Sequence, residues 1–248
     1  MPICTCLAVL LLIRTMRAAA AQYDIRDFGA KPDGISLATQ ALAAAVARAH
    51  GDGDGVTINE VLVPAGGAFL TGSFSLATRV RIRIDTDAVL LASTDPADYP
   101  NNTWNWDPSL IDTHGATDTG IVGNGTISGQ APGPIWSLGF DAKRNIFIPR
   151  KWIGLGGGCV GECRPKLVRF TDCSRVVVSG DGGAATSGRG VLKLSDSPDW
   201  TMLFRRCSEV NLQHLDVRGD SRWPNNDGVD FESCTDGAPS VGLGGQLR

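Results

Sequence analysis

The chain has 248 residues, of which 42% are hydrophobic and 20% are charged, a composition suited to one globular domain with a sizeable core. Its formal net charge is only −3 and it contains no long basic run, so nucleic acid and anionic membrane surfaces are disfavoured as partners. Glycine is frequent, with 31 residues against the roughly 7% of average proteins, and this predicts many tight turns.

The amino terminus has the pattern of a cleaved secretion signal. An apolar run from Cys6 to Ile13 precedes small residues from Ala18 to Ala21, which favours a signal peptide over residues 1–21 and a secreted, extracellular or cell-wall protein. The run is too short to span a bilayer. Arg14 and Arg17 follow the run, and they leave an organellar transit peptide or a misplaced start codon as alternatives.

Two further features of the sequence are interpreted on the basis of secretion. Asn101 and Asn124 each begin an acceptor sequon, which predicts N-glycosylation in surface loops. Of the seven cysteines, five would remain after signal removal, so that at least one thiol lacks a partner. A disulfide between Cys159 and Cys163, or between one of them and Cys173, is preferred to half of a metal site.

The first regular element is predicted to be a helix. Leu42, Ala45, Val46 and Ala49 recur at helical spacing after Ser36, which is expected to cap the helix. The helix is expected to end near His50, before a glycine-rich loop. Two aspartates in that loop favour a solvated turn over a calcium site, because the closing Glu of an EF-hand is missing.

The rest of the chain consists of short β-type runs separated by Gly, Asn and Asp, and no second helix of comparable strength lies among them. Strands without helical crossovers exclude a doubly wound sheet and leave a sandwich, a barrel or a β-solenoid. The predicted runs are 61–63, 69–76, 80–84, 89–91, 121–127, 176–178 and 210–217.

The last of these runs favours the solenoid. Its apolar alternation slips by one residue at Gln213-His214, which would reverse the inward face unless the chain turns a corner there. We therefore place His214 at a corner between two strands. The segments 172–178 and 206–212 both begin with a Cys-Ser pair followed by alternating apolar residues, and such a repeat is typical of successive coils of a parallel β-helix.

Several segments together resemble the polygalacturonase family of pectin-degrading glycoside hydrolases. The opening segment 23–34, the segments 63–73 and 90–100, and then Arg164-Pro165-Lys166-Leu167 and Ser197-Pro198-Asp199-Trp200 occur in the family's order and spacing. The resemblance implies an all-β fold, a right-handed parallel β-helix (single-stranded β-solenoid) over residues 22–236 with a short N-terminal capping helix.

The segment Asn225-Asn226-Asp227-Gly228 matches the family's first catalytic motif, in which Asn226 replaces the usual Thr or Ser. By this resemblance, Asp227 would be one of the carboxylates that position and deprotonate the attacking water in an inverting hydrolysis of a 1,4-linked galacturonan. Asn225, Asn226, Trp223 and Asp230 are the candidates for substrate binding, with Asp230 expected to orient the coil rather than to act on the sugar.

The family's later motifs do not follow in this sequence. An Asp-Asp pair, a Gly-His-Gly motif and an Arg-x-Lys motif would come about one coil later, but Asp236 is the only acid after Cys234, and residues 237–248 form an atypical tail. We therefore expect a truncated hydrolase with little or no activity. The alternatives are a non-catalytic pectin-binding remnant or another β-helix enzyme, such as a pectate lyase or a rhamnogalacturonan hydrolase.

The expected partner is a pectic polysaccharide, and the expected state is a monomer. No cofactor is predicted. A zinc site is disfavoured because His50 and His114 have no Cys or His neighbours at ligand spacing.

Overall fold

The computed structural model describes residues 20–99, 108–131, 164–182, 190–222, 225 and 227–235, together with the backbone of 137–141, 146–149 and 240–242. These residues contain one α-helix, α1 (Thr39–Gly51), and two 3-10 turns, Ile25–Phe28 and Pro96–Asp98. The strands in chain order are β1 (Gln22–Asp24), β2 (Asp33–Leu37), β3 (Asn59–Val63), β4 (Gly67–Thr71), β5 (Val80–Ile84), β6 (Ala88–Ala92), β7 (Ser109–His114), β8 (Gly120–Gly123), β9 (Thr126–Ser128), β10 (Ser137–Asp141), β11 (Ile146–Pro149), β12 (Lys166–Thr171), β13 (Ser174–Ser179), β14 (Leu192–Ser195), β15 (Met202–Arg205), β16 (Ser208–Gln213), β17 (Leu215–Arg218), β18 (Val229–Glu232) and β19 (Ser240–Gly242).

The strands form three parallel sheets. Sheet A has the order β1-β3-β5-β8-β13-β16-β19, sheet B the order β17-β14-β9-β6-β4-β2, and sheet C the order β18-β15-β12-β7. From β7 onward the chain visits sheets C, A and B in turn, so each coil lies against the one before it. This arrangement confirms the predicted parallel β-helix. Strands β10 and β11 form a separate antiparallel pair between β9 and β12, which the sequence pattern did not predict.

The interior consists of ladders of side chains in register. In sheet A, Ile82, Ile121, Val178 and Leu212 occupy successive strands and are all buried. In sheet C, the rings of Phe170, Phe204 and Phe231 stack with centroid separations of 5.7 and 5.3 Å. Alternation along each strand sends these residues inward and their neighbours to the outer face, which is why short apolar-polar runs suffice to specify the coils.

Helix α1 covers the amino-terminal end of the solenoid, and it buries Leu42, Ala45 and Val46 against that end. The predicted cap was wrong: Ala38 precedes the helix and makes no side-chain capping bond. Ser36 lies in β2, where its hydroxyl donates to Asp33 Oδ2 at 2.7 Å. The helix begins later because the Ala38 N–H donates to the Leu70 carbonyl at 2.7 Å, which keeps the preceding residues in sheet B.

Two predicted runs are each divided by a corner. The run 210–217 becomes β16 and β17, separated by His214 with a φ of 50°, which confirms the predicted corner. The run 121–127 becomes β8 and β9, separated at Asn124-Gly125. The run 69–76 ends as a strand at Thr71. Beyond Gly72, Phe74 forms an isolated parallel bridge to Ile111 of sheet C.

The predicted Cys-Ser repeat is confirmed. Ser174 is in register with Ser208, and Ser208 in turn bridges to Thr235, so the preceding residues Cys173, Cys207 and Cys234 occupy the same corner of three coils. All three are free thiols. The disulfide alternative that used Cys173 was therefore wrong, because this sulfur lies inside the corner and donates to the Thr171 carbonyl at 3.2 Å. Cys159 and Cys163 lie outside the described residues.

In the described part of the chain, no helix has the length and apolar character needed to cross a membrane.

Candidate active site on sheet C

The candidate motif lies at the edge of sheet C. Asp227 comes just before β18, the edge strand of the sheet, and its carbonyl accepts a hydrogen bond from the Thr201 N–H of the neighbouring coil at 2.7 Å. In β18, Phe231 points inward onto Phe204. Since side chains alternate along a strand, Asp230 points to the outer face, beside Leu203 of β15. The fold therefore brings Asp227 and Asp230 to one edge of one face.

Asn225 and Asp227 are both exposed. Asn225 has a φ of 60°, a left-handed conformation that Asn tolerates better than most residues. Its side-chain carbonyl accepts a hydrogen bond from Arg164 Nη2 at 3.4 Å. The turn is thus attached to lower coils through both its backbone and a side chain. Trp223 and Asn226, which were also predicted to bind substrate, lie outside the described residues.

The carboxyl group of Asp230 has an unusual environment for a partly exposed acid. Its Oδ2 atom is buried and has no hydrogen-bond partner within the described structure. Burial raises the pKa of Asp230, the negative charges of Asp227 and Glu232 raise it further, and Lys166 opposes the shift. Two neighbouring carboxyl groups in different environments, one exposed and one desolvated, are the arrangement from which acid and base roles can be divided.

A buried ionic cluster lies beneath this turn. Lys166 at the start of β12 is only 4% exposed, and its Nζ donates to Asp199 Oδ2 at 2.9 Å. The same ammonium lies 4.8 Å from the ring centroid of Trp200. Arg164 is 1% exposed and lies with its Nη2 3.7 Å from Asp199 Oδ1. Burial of two cations next to one carboxylate is costly unless each is paired, so these contacts are specific structural features.

The sequence analysis matched Arg164, Lys166 and Asp199 to family segments but assigned them no role. Two cations flanking Pro165, followed one coil later by an aspartate after Pro198, were the available signal. That signal has no meaning until the coil repeat is known, because Lys166 and Asp199 are 33 residues apart.

The outer face of sheet C carries further charged groups on its earlier coils. Arg169 donates to Asp112 through two bonds, Nε to Oδ1 at 2.9 Å and Nη2 to Oδ2 at 2.6 Å. His114 Nε2 lies 2.9 Å from the same carboxylate, and Arg205 donates to Glu232 at 2.6 Å. These pairs make the face polar over four strands. Among the described residues, no three His, Cys, Asp or Glu side chains are grouped so as to hold a metal ion.

One of the two predicted glycosylation positions, Asn124, lies away from this face. Asn124 is at the corner between β8 and β9, where its Nδ2 donates to Asp181 Oδ2 at 2.9 Å and its Oδ1 accepts from the Asp181 N–H at 2.9 Å. Asn101 lies outside the described residues.

Comparison with known proteins supports the class that this fold and site suggest. No family model matches the chain. A Vitis vinifera protein described as a probable polygalacturonase is 30% identical over 224 residues, covering 84% of this chain and 39% of the relative. A Chamaecyparis obtusa polygalacturonase is 25% identical over 223 residues, with 89% and 37% covered. The chain thus spans less than half the length of the curated relatives it matches.

Solved structures agree on the fold. The polygalacturonase from Erwinia carotovora superposes with a TM-score of 0.63 at 20% identity, covering 88% of this chain and 53% of that one. A family 28 exopolygalacturonase from Yersinia enterocolitica gives a TM-score of 0.62 at 19% identity, with 86% and 41% covered. These structures establish the class of fold, a parallel β-helix. The curated relatives show that the chain is polygalacturonase-like, which confirms the resemblance that the motifs predicted.

Proposed function

We propose that this protein acts on pectic α-1,4-galacturonan, with Asp227 as the base that positions and deprotonates the attacking water in an inverting hydrolysis. The observation that carries this proposal is the place of Asp227, an exposed carboxylate at the edge of the outer face of sheet C in a chain similar to polygalacturonases. Asn225, Asn226, Trp223 and Asp230 are proposed to bind the substrate around it.

The chemistry needs a second, protonated carboxyl group on the opposite side of the glycosidic bond, with room for water between the two groups. The 248-residue polypeptide contains no Asp-Asp pair, Gly-His-Gly or Arg-x-Lys after Asp227. General acid–base groups typically contribute factors of about 100 to 10,000 each, so cleavage by Asp227 without such a partner would be slow.

A non-catalytic pectin-binding role is the second candidate. Among the described residues, the charges in and beside the turn show no excess of either sign: the five carboxylates are Asp199, Asp220, Asp227, Asp230 and Glu232, and the five cations are Arg164, Lys166, Arg205, Arg218 and Arg222. Galacturonan is a polyanion, so these charges by themselves neither attract nor repel it.

The remaining proposals concern the state of the chain. We propose that residues 1–21 are a signal peptide, that 22–236 form the solenoid and 237–248 a separate tail, and that the secreted protein is a monomer. Asn101 and Asn124 are the proposed glycosylation sites. In the folded state the Asn124 amide is engaged with Asp181 at 2.9 Å.

The test is to incubate the purified protein and an Asp227→Asn variant with polygalacturonate and to measure new reducing ends and the anomer first released. Slow release of inverted product by the wild type alone supports the hydrolase. Calcium-dependent formation of unsaturated, ultraviolet-absorbing ends would instead indicate a lyase. Binding of oligogalacturonides without any cleavage would favour the binding role.

A further inference from the structure

Arg164 connects three successive coils of the solenoid. It precedes β12, its Nη1 donates to the Pro198 carbonyl in the coil of β15, and its Nη2 donates to Asn225 Oδ1 in the coil of β18. Adjacent strands are about 4.8 Å apart, so two coils are close to the reach of the longest side chains. The fork of the guanidinium allows one side chain to bond in two directions at once.

The position of Arg164 is itself fixed by the ion pairs around it. Asp199 Oδ1 lies 3.7 Å from Arg164 Nη2, while Asp199 Oδ2 accepts from Lys166 Nζ at 2.9 Å. Lys166 in turn rests on the ring of Trp200. All of these groups are largely buried, so the cluster has few alternative arrangements.

The turn held by Arg164 has few other attachments among the described residues. Among the described residues, one backbone bond joins it to the neighbouring coil, from the Thr201 N–H to the Asp227 carbonyl at 2.7 Å. Asn225 and Asp227 are both exposed. A turn of this kind is a region of low local stability unless specific bonds hold it.

We propose that Arg164 is a positioning residue for the candidate active site: it fixes the turn from Asn225 to Asp227, and Asp199 with Lys166 fix Arg164. The inference deepens the proposed function and rests on it for its catalytic meaning. The bond between Arg164 and Asn225 is a property of the fold, however, and is testable without activity.

The experiment is hydrogen exchange of backbone amides in the full chain, comparing wild type with Arg164→Met. We expect amides of residues 225–229 to exchange at least tenfold faster in the variant, with little change in β3 or β5. The matched control is Arg169→Met, which removes another buried arginine, 3% exposed and paired with Asp112, whose bonds among the described residues do not include Asn225 or Asp227. This control should not accelerate exchange selectively at 225–229.

Two further variants keep the proposal falsifiable if Arg164→Met does not fold. Asn225→Gly removes the acceptor without steric strain at the left-handed φ of 60°, and it should reproduce the local acceleration. Arg164→Lys keeps the charge but not the fork, and should give an intermediate effect. Unchanged exchange at 225–229 in Asn225→Gly, or equal acceleration in Arg169→Met, would overturn the positioning role.

Titration with oligogalacturonides separates this inference from the function on which it rests. Tighter binding by wild type than by Arg164→Met, by tenfold or more, with partial rescue in Arg164→Lys, supports both. Absence of binding and cleavage in the wild type defeats the proposed function, while the exchange result still decides the link between Arg164 and the turn. Equal binding by wild type and Arg164→Met defeats the positioning role alone.

Discussion

The corners that lead from sheet C to sheet A differ sharply from the turns that lead from sheet B to sheet C. At the first kind of corner, two residues follow the sheet C strand before the chain pairs in sheet A. This holds after β7, β12, β15 and β18, where pairing in sheet A begins at Thr117, Ser174, Ser208 and Thr235. The first of these two residues is left-handed each time, with φ between 51° and 65°; they are Gly115, Asp172, Arg206 and Ser233. The backbone bonds repeat as well: Gly115, Asp172 and Arg206 each donate to the last residue of the next coil's strand, at 2.7–2.9 Å.

The turns from sheet B to sheet C show no such repetition. One runs from Ser128 to Lys166 and includes the β10–β11 pair, whereas the next runs only from Ser195 to Met202. The third, from Arg218 to Val229, contains the candidate motif. The comparison indicates that the repeating corner holds the coils in register, while the variable turns are free to carry the chemistry.

The largest expected effect would come from an insertion that breaks the repeating corner. Three extra residues between Arg206 and Cys207 would displace the buried Cys207 thiol and disrupt the bond from the Arg206 N–H to the Glu232 carbonyl, 2.7 Å. We expect a loss of more than about 4 kcal/mol in the free energy of unfolding, measured by urea denaturation.

The same insertion between Gly219 and Asp220, in the variable turn, is the matched control. There it lengthens the loop without separating Asp220 from Arg222, and it should cost about 0.6 kcal/mol or less. Equal losses at the two positions would show that the corner and the turn do not differ in the way proposed.

This difference also explains what the sequence alone could predict. Strand β5 and the corner at His214 could be predicted from the sequence because apolar alternation is a local signal. Strand β12 was not identified from alternation, since all six of its residues are buried and two of them, Lys166 and Arg169, are charged. Burial of these cations depends on Asp199 and Asp112, which lie on other coils far along the chain.

The candidate site shows the same contrast between residues that a local motif predicts and residues whose role depends on contacts between coils. Asp227 was predicted from a short motif, and the structure places it at the edge of sheet C. Arg164 and Asp199 gained a role only from stacking of the coils, because no local spacing relates them to Asn225. The N-cap error at Ser36 is the reverse case, in which a correct local preference was overridden by pairing of the segment in sheet B.

A second, smaller effect should distinguish the ion pairs of the two regions. Lys166→Ala removes the 2.9 Å partner of Asp199, which is 14% exposed, but leaves its 3.7 Å contact with Arg164. We therefore expect a loss of about 2 kcal/mol, below the roughly 3–5 kcal/mol of a buried pair that is broken completely. Arg206→Ala breaks the Arg206–Asp172 pair at the repeating corner, where both side chains are more than half exposed, and should cost less, because exposed ion pairs contribute little to stability.

Thermal and urea denaturation of the two variants would check this order. If Lys166→Ala were as mild as Arg206→Ala, the cluster beneath the turn would be better hydrated than its burial indicates. The ammonium over Trp200 would then contribute little to holding the turn.

The smallest expected effect is a pH dependence with opposite signs at the two ends of the solenoid. The pKa of Asp230 is raised above its ordinary 3.8, chiefly by burial. Its contribution to stability is therefore fully present below pH 3.8 and is lost as the pH rises through the folded-state value. Asp230→Asn should become more stable than wild type with rising pH, by less than about 1 kcal/mol because the group is partly exposed to screening water.

Asp33, at the amino-terminal end, provides the opposite case. Hydrogen bonds from the backbone N–H groups of Ser36 and Ile35 lower its pKa to about 2. Its contribution is present above pH 3.8 and is lost as the pH falls through about 2, so Asp33→Asn should be destabilised at neutral pH and should converge on wild type in acid. Melting temperatures of both variants between pH 2 and 7 would test the pair of signs. If the stabilities of both variants relative to wild type changed with pH in the same direction, the two carboxyl groups would not differ as proposed. Asp230 would then not be a desolvated acid, or Asp33 would not be stabilised by hydrogen bonds in its charged form.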